Sequence, residues 1–300
     1  MKRRIDFPQD VSKVLRISAK DLEDKDKYPH FCPDPCCDAL SSKRFGDWQN
    51  DDELVPSLQL TSDQQQVQAL ADIDGIKAQQ KIILVLESPH IDEFYLRRCS
   101  TLKDCKCFIN PLPAPASGRT GENIKHYLPH IFNTTIFNEY KVAIINPIQY
   151  QCSLGQPTSS KESKKNEAFF KLLSLENFAY GANFKKRIKN AYNPSTDLIV
   201  CCCTDGNAKY ENSKLVISLI NKVLSEIKGQ KKFPLLKIGH PCSWNMGCSY
   251  RKIWIMKSEQ ATISRPDCFF CYKDYQRLYK QFNLNAVISQ CANCNASQQE

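Results

Sequence analysis

No stretch of the 300-residue sequence is long and apolar enough to cross a bilayer. The charged start, Met1-Lys2-Arg3-Arg4, lacks the apolar region that a secretory signal places after it, so a cytoplasmic chain with no membrane partner is expected. There is no internal repeat, which excludes solenoids and propellers. Acidic residues are in deficit: 32 Asp and Glu stand against 41 Lys and Arg, a formal charge of +9. Such an excess suits a nucleic acid, because each neutralised phosphate releases counterions.

Apolar residues, by contrast, are plentiful. A hydrophobic fraction of 42% excludes global disorder, and the length allows one large domain or a domain with appendages. There are sixteen cysteines. In a small secreted chain they would suggest a disulfide scaffold; in a reducing compartment they are core residues, metal ligands or both.

Residues 1–78 read as an irregular polar extension carrying Cys32, Cys36 and Cys37, residues 79–262 as an α/β domain, and residues 263–300 as a small cysteine-bearing tail. Four apolar runs, at 82–87, 142–146, 198–203 and 235–240, are rich in Ile, Val, Leu and Cys without polar alternation. Strands buried on both faces of a parallel sheet look like this. Helical patterns at 121–131, 164–175 and 212–227 separate them; in the second, Phe169, Phe170, Leu172 and Leu173 form the apolar stripe. The alternation predicts a four-stranded parallel sheet flanked by helices.

Each run ends in polar residues: Glu87-Ser88-Pro89-His90, Asn146-Pro147, Thr204-Asp205-Gly206 and His240-Pro241-Cys242-Ser243. The carboxyl ends of parallel strands form one rim, where ligands bind. Taken singly, a His or Asn at a strand end most often anchors a loop; four such tips together point to a site. A carboxylate there can orient water or stabilise a cation, an amide can both donate and accept, and an imidazole can donate to a leaving group. The only candidates for a magnesium cluster are Glu87, Asp92, Glu93 and Asp205, at a spacing that does not gather them. A Cys–His nucleophile pair through Cys242 lacks a base that the sequence positions. No lysine marks itself as a Schiff-base former, so hydrolysis alone is expected.

Cys268-Phe-Phe-Cys271 and Cys291-Ala-Asn-Cys294 are two Cys-x2-Cys pairs separated by nineteen residues, the spacing of a structural zinc site. Cys32, Cys36 and Cys37 with Cys105 and Cys107 (and Cys99) are a candidate second site. Cys201, Cys202 and Cys203 read as small core residues.

The ordered motifs resemble the uracil-DNA glycosylase superfamily, over roughly residues 80–260. The branch most similar has a first motif Gly-Glu-Ala-Pro-Gly, against Leu86-Glu87-Ser88-Pro89-His90 here. Its Pro-Phe-Val-Gly-Arg-Ala-Gly is matched by Pro115-Ala116-Ser117-Gly118-Arg119-Thr120-Gly121. The strand ending in asparagine, the glycine-alanine pair and the His-Pro-Ser motif are similar to Ala143-Ile144-Ile145-Asn146, Gly206-Asn207-Ala208 and His240-Pro241-Cys242.

The resemblance implies a monofunctional glycosylase acting on DNA, with no obligatory protein partner. Glu87 would handle the water or sugar cation, Asn146 would read the flipped base, and His240 would stabilise the departing base. Ser88, Pro89, His90 and Ala116 would line the base pocket. Gly118, Arg119, Thr120, Ser243, Trp244 and Met246 would meet the DNA, the last two as candidate wedges. One branch of the family carries an iron–sulfur cluster; Cys32, Cys36, Cys37 and Cys152 fall near its first three ligands, but a fourth is missing.

Two departures bear on substrate. Leu86 and His90 replace the glycines of the first motif, and Ala116 replaces the aromatic that stacks on uracil. Losing that stack, worth roughly 1–3 kcal/mol per base in single-strand binders, also opens volume. The expected substrate is therefore a bulky hypermodified phage pyrimidine, such as glucosylated hydroxymethylcytosine, removed in antiviral defence. If Phe108 or Tyr150 supplies the stack instead, the substrate is uracil and the role is base excision repair. A catalytically silent zinc-containing DNA-binding protein is the reading from a different class.

Overall fold

A computed structural model describes residues 9–16, 35–36, 38–41, 43–50, 58–59, 75–89, 115–116, 118–132, 137–152, 162–174, 179–206, 211–227, 235–251 and 253–256. All four apolar runs form strands: β3 (Lys81–Val85), β4 (Lys141–Ile145), β5 (Leu198–Cys201) and β6 (Leu235–Lys237). They pair in parallel in the order β4-β3-β5-β6, with Val85 opposite both Ile145 and Cys201, and Cys201 opposite Lys237. Their carboxyl ends are therefore level with one another.

The sheet is wider than the four strands expected. β1 (Ala39–Ser41) runs antiparallel to β4 and β2 (Leu58–Gln59) antiparallel to β1, while β7 (Trp254–Met256) runs antiparallel to β6. The order is β2-β1-β4-β3-β5-β6-β7, seven strands among the described residues. Two of the three additions come from the segment expected to be irregular. At two or three residues each, they are too short to show a period.

Helices cover both faces. On one face lie α3 (Glu162–Ser174), α4 (Ala179–Ala191) and α5 (Asn212–Glu226). Their Phe169, Leu172, Phe184, Ile188, Val216 and Ile220 pack on Ile83, Val85, Ala143, Ile145 and Ile199. A short α1 (Gln9–Leu15) adds Leu15 to this layer. On the other face α2 (Arg119–Ile131) and two 3-10 helices (Phe45–Asn50 and Pro241–Met246) bury Ile124, Leu128, Phe45, Trp48 and Trp244 against Ile82, Leu84, Val142, Ile144 and Val200. Successive strand residues thus alternate between two apolar layers, as pleated backbone requires. This explains runs without polar alternation. Cys201, Cys202 and Cys203 are buried as core residues, and burial pushes the Cys201 thiol up to about 11.

The amino edge is closed by a buried ion pair. Lys81 Nζ lies 2.9 Å from Asp197 Oδ2 and also donates to the carbonyls of Ile76 and Gln79, at 2.7 and 2.6 Å. The opposite, carboxyl edge carries the candidate site. No helix among the described residues is long and apolar enough to cross a membrane.

Candidate active site

The three rim residues singled out from sequence all stand just past aligned strand ends: Glu87 after β3, Asn146 after β4 and His240 after β6. Helix side chains hold each of these strand exits from behind. Glu87 is 2% exposed. Its Oε2 accepts from Lys165 Nζ of α3 at 3.1 Å, and its Oε1 from Asn212 Nδ2, the first residue of α5, at 3.2 Å. Asn212 Nδ2 also donates to Asn166 Oδ1 at 3.0 Å.

Burial alone would raise the Glu87 carboxyl. The positive charge of Lys165, then that of His240, overcomes this and holds it below the usual carboxylate range. Lys165 is raised in turn, first by Glu87. The site therefore keeps an ionised carboxylate in a buried setting, and His240 is near enough to act on its charge.

Asn146 is held through its backbone. Arg187 of α4 donates to the Asn146 carbonyl at 2.8 Å and to that of Pro147 at 3.1 Å, while its other nitrogen pairs with buried Asp38. The Asn146 side chain is buried, and its Nδ2 has no hydrogen-bond partner among the described residues. Gln149 Nε2 and Asn212 Oδ1 are in the same condition. Buried polar groups in folded proteins are normally paired, which makes this amide a candidate contact for a ligand.

The His240 turn rests on α2. Asn123 Nδ2 donates to the Pro241 carbonyl at 2.7 Å. The His240 ring caps the following 3-10 helix: its Nδ1 accepts from the Cys242 N–H at 3.3 Å.

The remaining rim residues are placed unevenly. Ser88 is half-buried and Pro89 buried beside Glu87; His90 lies outside the described residues. Ala116 is buried in the apolar layer of α2 at a left-handed φ of 59°, with its carbonyl against Gly121, where a Cβ would meet that oxygen at 1.8 Å. Gly118 caps α2, and Arg119 and Thr120 open it. Arg119 is exposed and donates to Asn245 Oδ1 at 3.0 Å.

Ser243 is half-buried in the 3-10 helix. Trp244 is fully buried, its indole donating to the Gly239 carbonyl at 2.7 Å, so it serves the core and is not placed as a wedge. Met246 is 65% exposed beside Asn245, and of the two apolar candidates it alone can reach a partner. Tyr150 is buried with the α3–α5 layer.

Asp205 pairs with Lys237 and accepts from Ser213 at 2.7 Å, so it is not held for a magnesium ion. Asp92, Glu93, Asn207, Ala208 and Phe108 lie outside the described residues. Among the described residues no group of three or more His, Cys, Asp or Glu side chains is arranged to hold a metal. Cys36 is buried, and its backbone N–H donates to the Gln149 carbonyl at 2.7 Å. Cys152 is buried beside Glu87, its thiol pushed up to about 12, chiefly by burial. Cys32, Cys37, Cys99, Cys105, Cys107 and the four cysteines of the tail lie outside the described residues.

Sequence reasoning missed Lys165, Asn166, Arg187 and Asn212. A signal was there: Lys165 stands four and seven residues before Phe169 and Leu172, in phase with the buried stripe of α3. No protein-family model, curated protein or solved structure matches the chain.

Proposed function

We propose that this protein is a DNA glycosylase that hydrolyses the N-glycosidic bond of a flipped pyrimidine. The observation that carries this reading is a buried, ionised Glu87 under the influence of His240, with an Asn146 amide at the neighbouring strand exit that has no partner among the described residues. The glycosidic bond of a stacked base is inaccessible, so the nucleotide has to leave the duplex, at a cost of about a few kcal/mol that the pocket must return.

Cleavage leaves positive charge on the sugar and negative charge on the base. Glu87, kept ionised by Lys165, stabilises the first and orients the attacking water. Its lowered basicity makes charge stabilisation its larger role. The Asn146 amide offers a donor and an acceptor to the base edge. His240 donates from Nε2 to the departing base. Met246, exposed beside Asn245 and Arg119, fits a wedge that fills the space left by the flipped base, and Gly118, Arg119 and Thr120 fit a phosphate contact at the start of α2.

In this reading the substrate is a bulky hypermodified pyrimidine, on the strength of the sequence departure at position 116 alone, since Ala116 itself packs in the apolar layer of α2. Cys268, Cys271, Cys291 and Cys294 hold a structural zinc. Abasic-site formation on glucosylated hydroxymethylcytosine DNA and on uracil DNA, by the wild type and by Glu87→Gln, tests the proposal. Turnover on the glucosylated DNA that is lost in the variant supports it. Turnover confined to uracil DNA moves the protein to base excision repair. Tight DNA binding with no turnover on either would make it a binding protein.

A further inference from the structure

We infer that Lys165 gives the protein a second activity, cleavage of DNA at abasic sites through a Schiff base between Lys165 Nζ and C1′ of the sugar. The inference rests on the glycosylase reading, which sets the sugar beside Glu87, and it goes beyond the hydrolysis expected from sequence.

The geometry of the ion pair is what points there. Lys165 Nζ lies 3.1 Å from Glu87 Oε2, and the two side chains are 31% and 3% exposed. The other Glu87 oxygen is taken by Asn212 from α5. The lysine is thus the open member of the pair, and a sugar brought to the carboxylate meets Nζ. In hydrolysis the amine only keeps Glu87 ionised, whereas a primary amine within reach of the sugar can also act as a nucleophile once it has lost its proton.

The steps balance without oxidant or metal. Once the base has gone, the sugar opens to an aldehyde at C1′. Lys165 Nζ gives its proton to solvent, and the freed lone pair attacks C1′. The carbinolamine oxygen takes a proton from solvent and leaves as water, giving a protonated imine. Glu87 then removes a proton from C2′. The electrons of that bond form an enamine, which expels the 3′ oxygen with its phosphate as the C3′–O bond breaks. Water hydrolyses the imine, returning the amine and releasing an unsaturated aldehyde on the upstream strand. Glu87 holds the proton on Lys165 at rest, so the reaction quickens as pH rises.

Incubating the full-length protein with an abasic oligonucleotide and sodium cyanoborohydride tests this, because hydride turns the imine into a stable amine. The expected result is a covalent protein–DNA adduct that peptide mass mapping places on Lys165 and that increases from neutral to alkaline pH. Lys165→Arg keeps a cation beside Glu87 but cannot condense with an aldehyde, so the adduct should be lost while thermal melting shows a folded protein. A wild type that releases base yet traps nothing overturns the inference alone. So does an adduct on another lysine, or one that survives in Lys165→Arg. A wild type that neither releases base nor traps abasic DNA overturns the glycosylase reading and this inference together.

Discussion

Arg187 and Asn146 are joined by a hydrogen bond from the guanidinium to the Asn146 backbone carbonyl, 2.8 Å long and buried. Through it α4 fixes the exit of β4, and through the Asp38 partner of Arg187 the segment ahead of β1 is tied to the same point. Arg187→Met removes the guanidinium that pairs with the buried Asp38 carboxylate and donates to two carbonyls. Removing one partner of a buried pair costs about 3–5 kcal/mol. Denaturant unfolding should show a loss of that size, with Arg187→Lys recovering part of it because the charge returns without the planar fork. A loss near zero would mean that the strut carries no load.

Glu87 and Lys165 make a prediction in pH. The folded Glu87 carboxyl lies below its ordinary 4.5, so its contribution to stability is fully present above that value and is lost as pH falls through the lower, folded one. Lys165 lies above its ordinary 10.5, so its contribution is present below that and is lost as pH rises through the folded value. Lys165→Met removes the chief group opposing the burial penalty on Glu87, whose pKa must then climb. The acid-induced loss of melting temperature that Glu87 contributes should therefore be smaller in the variant than in the wild type, turning into a gain if the folded carboxyl rises above its ordinary 4.5. Coincident acid limbs would show that Lys165 does not set the state of Glu87.

Much of this architecture was legible because strands buried on both faces produce uninterrupted apolar runs. The residues ending those runs, Glu87, Asn146 and His240, were legible for the same reason. The edge strands were not, since Leu58–Gln59 and its neighbours are set by pairing with an existing sheet. Nor was α4, whose buried Phe184, Ile188 and Ala191 are interspersed with lysines and asparagines. The side chains behind the site are polar residues in phase with apolar stripes, a pattern that marks them as buried without saying what they meet. Trp244 shows the reverse limit: an indole in a candidate DNA loop turned inward because Gly239 offered its carbonyl.

Gly121 is required by close approach. A methyl group there would meet the Ala116 carbonyl oxygen at 1.8 Å, so either the 115–116 turn or α2 must shift. Overpacking of this kind typically costs about 1–3 kcal/mol. Gly121→Ala should lower the melting temperature despite the better helix propensity of alanine; an unchanged or higher value would contradict the packing described.

The tail makes a metal prediction. Elemental analysis of the purified protein should give one zinc per chain from the Cys268, Cys271, Cys291 and Cys294 set, lost in a Cys268→Ser/Cys291→Ser double variant. Chelation should remove the metal without abolishing base release, because no step assigned to Glu87, Asn146 or His240 uses it. Full zinc content in the double variant would put the metal elsewhere.

The central claim is that Glu87, Asn146 and His240 gather around one extruded nucleotide. Mass spectrometry of the bases released from a panel of natural and phage-modified DNAs tests it most directly. The account predicts one class of free pyrimidine from the wild type, its release slowed at least roughly 10²-fold in Glu87→Gln, the scale of losing a transition-state charge partner. No free base from any DNA in the panel, or release that Glu87→Gln leaves untouched, would contradict it.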